Sequence, residues 1–229
     1  MLEEQETNGL ARAAHGRTKP ERFVVRRTKA VAHCTRQKII DAAREVFHRH
    51  GVGRSTLEQI AQVAGLTRGA VYWHFKGKAE LFLEVRKDVF APLIENVDLT
   101  LCSERYTDPL DAIEASLKVI YCTLENSSTV RQVYEIMLLR CEHVDEFSEV
   151  LLEVSRPAID FLEKMTIAYQ KARAIGILGQ NLDPIAAAQD THAFVFGLLH
   201  LALAGGFTQE FRSQALAMIS GHIALRRQR

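Results

Sequence analysis

Residues 56–78 read TLEQIAQVAGLTRGAVYWHFKGK, two short helices joined by a glycine turn. Thr56 caps the first helix with its hydroxyl, while Gln59, three residues on, reaches back to the Thr56 N–H in a reciprocal capping box. That helix starts at Leu57. Ile60, Ala61 and Ala64 give it a narrow apolar face, and Gly65 closes it in the left-handed conformation, which has no Cβ clash for glycine. Thr67 caps a second helix of about two turns. Its Arg68, Gly69, Ala70, Tyr72, Trp73 and His74 are basic, planar or very small, and only Val71 and Phe75, four apart, look inward. Aromatic residues at helical spacing are more often core than function. A helix this short and polar makes a poor core element, however, whereas a DNA major groove about 12 Å wide admits one α-helix. Gly69 and Ala70 permit close approach, and Arg68 offers a guanidinium fork to guanine. Tyr72, Trp73, His74 and Lys78 supply donors for DNA, with Thr56 and Thr67 near its backbone. Capping, glycine turn and basic character together point to DNA binding.

The string LTRGAVYWHFKGKAELF over residues 66–82 resembles the helix-turn-helix of TetR-family repressors, and TRGAVYWHF in particular resembles the branch that controls multidrug efflux pumps. The likeness runs from about Thr35 to Phe82. Beyond it, the chain is similar to the family in helix count, length and scattered positions such as Cys141-Glu142. The resemblance implies a ligand-responsive repressor, dimeric on operator DNA with palindromic half-sites and released by a small apolar effector. The alternatives are a TetR-type regulator of another metabolic or signalling pathway, a helical interaction protein without an operator, and an all-α enzyme.

The 229 residues are 47% hydrophobic and 25% charged, the composition of an ordinary globular protein. Ala193–Leu203, the longest strongly apolar run, is broken by Gly197 and His200 and falls short of the about 20 residues a membrane span needs. The acidic, polar first residues lack a signal-peptide pattern, so a cytoplasmic protein is expected. A net charge of +1 hides an asymmetry: residues 12–90 carry 17 Lys and Arg against 7 Asp and Glu, residues 91–229 carry 12 against 18. The basic front half suits nucleic acid. Cys34, Cys102, Cys122 and Cys141 form no CxxC pair and read as reduced thiols.

Three segments follow. Residues 1–34 lack an apolar period and are expected to be a disordered basic extension, either an arm along the DNA backbone or an inert tail. Residues 35–80 form the helix-turn-helix domain, whose first helix is expected over Arg36–His50, capped by Thr35 and carrying Ile40, Ala43 and Phe47 on one face. His48 and His50, two apart, point to different faces and read as surface rather than metal ligands. Residues 81–229 form a helical ligand-binding and dimerisation domain.

A long helix is expected over 78–101, kinked near Pro92 because proline cannot donate to the Asp88 carbonyl. Asp108-Pro109 opens another, with helices then expected over 129–141 and over 144–175, the latter interrupted at Pro157. Asp183-Pro184 opens one to about Leu203, and Thr208 or Gln209 opens the last, ending near Arg227. No β alternation appears, so the fold is all-α: a three-helix DNA-binding domain plus a helical bundle. The helix over 193–204, apolar all round, needs cover on every side. Either it is the central core helix of a monomer, or the domain's own core covers one side and a second copy the other; the resemblance to the TetR family implies the latter, a homodimer through the last two helices. No catalytic motif, cofactor signature or metal-ligand spacing is present; Cys141-Glu142-His143 cannot share one helical face. Ligand pockets are mostly apolar with few polar groups, and Phe90, Arg131, Tyr134, Glu135, Cys141 and His192 are the candidates here.

Overall fold

A computed structural model describes residues 21–141 and 148–228; for 21–28, 148 and 149 it describes the backbone alone. The chain divides into a first unit that ends at Gln37 and a second from Lys38 to Arg229. Helix α1, Glu21–His50, runs out of the first into the second. It therefore begins well before the expected Arg36, and residues 21–34 are helical rather than an unstructured arm. Residues 1–20 of that expected arm lie outside the described residues. No glycine or proline interrupts 21–50, so nothing local stops the helix. Thr35 is not its cap: its hydroxyl donates to the Val31 carbonyl at 2.9 Å, four residues back within the helix.

In the second unit, α2 (Leu57–Ala64) and α3 (Arg68–His74) follow as read from the sequence. Ile39, Ile40, Ala43 and Phe47 of α1 are buried with Ile60, Val71 and Phe75 beneath the turn. Phe47 meets Phe82 edge-on, ring centroids 6.1 Å apart, which brings the first turns of α4 (Lys78–Leu101) into this small core. Each such fully buried Ile, Val or Phe side chain stabilises the fold by about 1.5–3 kcal/mol, the Ala43 methyl by less. Helix α4 then continues past Pro92 and buries Phe90, Leu93, Val97 and Leu101 in the bundle. One helix thus belongs to both cores.

The bundle consists of α5 (Pro109–Asn126), α6 (Ser128–Leu139), α7 (Ser148–Ala174), α8 (Pro184–Gly205) and α9 (Gln209–Ala224). Asp108 caps α5 through Leu110 N at 2.8 Å, and Asp183 caps α8 through Ala186 N at 2.8 Å. In both, proline stands where its missing N–H costs nothing. The interruption expected at Pro157 does not occur: α7 runs through it. One lost backbone bond is outweighed there by side chains on both flanks, with Val154 packed against the core and Phe161 buried in it. Helix α4 packs against α5, α6 and α7, and α8 against α7 and α9. Among the described residues there is no strand, only an isolated bridge between Leu178 and Arg227, and no helix is long and apolar enough to cross a membrane.

Candidate nucleic-acid interface and internal cavity

The reading head is built by its caps. The Thr56 hydroxyl accepts from Gln59 N at 3.1 Å and Gln59 Oε1 accepts from Thr56 N at 2.9 Å, the reciprocal box expected. Gly65, at φ 66°, sends its N–H back to the end of α2, and the Thr67 hydroxyl accepts from Ala70 N at 3.2 Å. With Val71 and Phe75 buried, the opposite face of α3 turns outward: Thr67, Arg68, Gly69, Tyr72 and Trp73 are exposed, Trp73 at 74%. An indole held that far out on a two-turn helix does nothing for the core. Arg68 Nη2 donates to the Tyr72 hydroxyl at 3.2 Å, and its guanidinium lies 5.3 Å from that ring centroid, so the two long donors form one unit. Ala70 and His74 are half-buried, the His74 ring edge-on to Trp73 at 4.6 Å, and Thr56 is exposed at the start of α2. Lys78 sits differently. Its ammonium donates to the carbonyls of Gly53 at 2.8 Å and Ser55 at 3.3 Å, so it clasps the start of α4 to the loop between α1 and α2.

Behind the head, α6 holds the same loop from the bundle side. Val52 N donates to the Arg140 carbonyl at 2.8 Å, and His48 Nε2 lies 2.7 Å from Glu135 Oε2. Gly51 has φ 79°, and a Cβ there would stand 3.3 Å from the Arg140 carbonyl, so both conformation and closeness call for glycine. His48 is therefore not a bare surface histidine, and Glu135 faces the head rather than a ligand.

Between α4, α5, α6, α7 and α8 lies a cavity of about 280 Å³. Its wall is mostly apolar, with Phe90, Leu93, Val97, Met137, Phe161 and Phe196 prominent. Phe90 and Tyr134 rings approach to 6.3 Å. Of the six side chains singled out from sequence, those two line the cavity. Arg131 does not: it donates to the carbonyls of Leu124 at 3.0 Å and Glu125 at 2.7 Å and lies over Phe207, so it ties α6 to the end of α5. Cys141 is half-buried just past the end of α6, off the wall. His192 lies behind the wall with its ring 4.5 Å from Phe196; burial lowers its pKa, and its Nε2 has no hydrogen-bond partner among the described residues. Of the polar wall residues not singled out from sequence, Asp98, Ser155 and Arg86, the last lay nearest to hand. It stands one helical turn before Phe90 on the same face of α4, a spacing that would have pointed to it. No cluster of His, Cys, Asp or Glu suited to a metal occurs among the described residues.

Comparison with known proteins matches residues 39–85 to the family described as bacterial regulatory proteins, tetR family. The HTH-type transcriptional regulator TtgR of Pseudomonas putida is 36% identical over 176 residues, 77% of this chain and 83% of TtgR. Among solved structures, NalD, the secondary repressor of the MexAB-OprM multidrug efflux pump in Pseudomonas aeruginosa, superposes with a TM-score of 0.76 at 29% identity, covering 85% of this chain and 96% of NalD. SmeT, the repressor of the Stenotrophomonas maltophilia multidrug efflux pump SmeDEF, gives 0.69 at 32% identity, covering 84% of this chain and 90% of that one, and has also been solved as a complex with triclosan.

Proposed function

This chain belongs to the TetR family of bacterial regulatory proteins, and on that footing we propose that it represses a multidrug efflux operon by binding operator DNA through α3. The observation that carries the reading is the outward face of α3, where Arg68, Tyr72 and Trp73 stand exposed above a buried Val71 and Phe75. Relatives described as repressors of efflux pumps support the choice of target.

The active unit is a homodimer through α8 and α9. Their outward faces leave Ala193, Gly197, Leu201, Ala204, Met218 and Gly221 exposed, small residues around two large apolar ones. Such a surface allows two copies to approach closely, and a two-fold pair places two α3 helices on half-sites about 34–36 Å apart. The effector is a largely apolar molecule in the cavity of about 280 Å³. Helix α6 carries the effect outward, because it contributes Tyr134 and Met137 to the cavity and meets the head through Glu135 and the Arg140 carbonyl. Tight binding alone changes nothing; the effector must prefer the arrangement that no longer fits both half-sites.

Sequencing the DNA retained by the purified protein, followed by shift assays on that DNA with hydrophobic antibiotics and dyes, tests the reading. The expected result is one operator beside efflux genes, released by at least one compound. An operator beside unrelated genes would reassign the pathway. A double Arg68→Ala, Tyr72→Ala variant with wild-type operator affinity would overturn the use of α3.

A further inference from the structure

Two of the few polar groups on the cavity wall have unmet hydrogen-bonding capacity. Tyr134 is 5% exposed, and its hydroxyl has no hydrogen-bond partner among the described residues. Arg86 Nη2 donates to the Val154 carbonyl at 3.0 Å, but its buried Nε has no partner. Leaving a buried polar group unmatched costs about 1–3 kcal/mol, so these positions favour an occupant that answers them. A guanidinium only donates. Burial pushes the Tyr134 phenol well above its ordinary range, so it keeps its proton and can donate, although its oxygen can also accept. The carboxylate on the wall, Asp98, is already held by Lys164 at 2.5 Å. It also lies more than three turns along α4 from Arg86, about 18 Å at 1.5 Å per residue. Tyr134 belongs to the Arg86 end, since it packs on Phe90, one turn away.

Resting on the reading of this cavity as the effector site, we infer that it selects weakly acidic aromatic molecules, whose anionic oxygen meets Arg86 Nε–H and Tyr134 O–H, over lipophilic cations of the same shape. A charge-assisted bond to a guanidinium is roughly twice as strong as a neutral one. An organic cation in the same place finds a like charge in Arg86, which Glu153 offsets only in part, and a carboxylate already paired with Lys164. The Tyr134 oxygen is left as its acceptor, and its desolvation is compensated less well than an anion's. Size narrows the class further. A dry cavity of about 150 Å³ holds one benzene, so this one, at about 280 Å³, suits a molecule of two rings.

Calorimetric titration of the full chain at neutral pH with the para-phenyl derivatives of benzoate, benzyl alcohol and benzylammonium tests this. The benzoate is expected to bind about tenfold or more tighter than the ammonium, the margin of one charge-assisted bond. Arg86→Gln should erase that margin while changing affinity for the alcohol less than about threefold, which shows that the cavity survives. Arg86→Lys should retain part of the margin, and Tyr134→Phe should weaken both benzoate and alcohol. Equal or tighter ammonium binding by the wild type would overturn the inference, as would a margin that persists in Arg86→Gln or a failure of all three probes to bind. The effector reading has its own readout, release of labelled operator by the same probes. Release without a preference for the acid leaves the repressor reading standing and sinks this inference; preference for the acid without release does the reverse.

Discussion

Lys78 and Arg68 illustrate how similar basic residues take different work. Arg68 is exposed with the Tyr72 hydroxyl as its side-chain partner, so Arg68→Ala should weaken specific operator binding by about 1–3 kcal/mol in a shift assay at fixed salt. Lys78 is engaged with two loop carbonyls, so Lys78→Ala should act on the fold of the head. The expected outcome is a loss of about 1–3 kcal/mol in chemical denaturation, with little change in the salt dependence of DNA binding. A lower salt slope at unchanged stability would show that the ammonium reaches phosphate after all. His222 makes a third case. Its Nε2 lies 2.9 Å from the Thr191 hydroxyl, which also meets Tyr169, and its ring stacks on Phe194 at 4.0 Å. Burial first, then Arg226, lowers its pKa to about 4, with Asp190 opposing. The unfolded chain therefore binds the proton more readily, and stability is full above the ordinary value of about 6.5 and declines as pH falls towards about 4. Discounted for its half-exposed position, the effect is on the order of 1 kcal/mol. Thermal unfolding followed from neutral pH to pH about 5 should show that decline in the wild type and a flatter response in His222→Gln.

Among the elements, α3 and α6 differ in how openly the sequence announces them. The bounds of α3 follow from Thr67, Gly65 and the inward pair Val71 and Phe75, all within a dozen residues, because capping and periodicity are local chemistry. The role of α6 is not local. Its Glu135 finds His48 across 87 positions of sequence, and Arg140 offers its carbonyl to Val52. No periodicity within α6 says what either will meet. If this contact transmits the effector signal, Glu135→Ala should leave ligand affinity near wild type while shrinking the mutual weakening of ligand and operator, typically five- to 150-fold in such systems. Titrating ligand into free and operator-bound protein reads both quantities at once; an undiminished coupling would remove α6 from the pathway. The loop it holds is equally testable. Gly51→Ala forces a side chain to φ 79° within 3.3 Å of the Arg140 carbonyl, and about 1–3 kcal/mol of stability should be lost in denaturant unfolding.

For the whole molecule, the proposed homodimer rests on the outer faces of α8 and α9. Phe196 lines the cavity and Ala215 is buried in the chain's own core, so neither is free to meet a second copy. Leu201 at 56% and Met218 at 44% exposure are. Leu201→Asp and Met218→Asp should each yield a folded monomer with weakened operator binding, since a charge there would be desolvated in the dimer and solvated in the single chain. Sedimentation velocity checks this, and a wild-type monomer at high concentration would refute the dimer. Local sequence carried the all-α class, the helix-turn-helix with its caps and inward pair, and most helix starts, because each rests on residues within a turn or two of one another. It misplaced the start of α1 and the supposed break at Pro157, where no local stop signal or a single lost bond was set against continuing helix and packing. The packing of distant elements turned Arg131 away from the cavity to the end of α5, set Glu135 against the head and made Lys78 a clasp. A polar side chain's partner is chosen by which distant element packs beside it, and periodicity within its own helix carries no record of that choice.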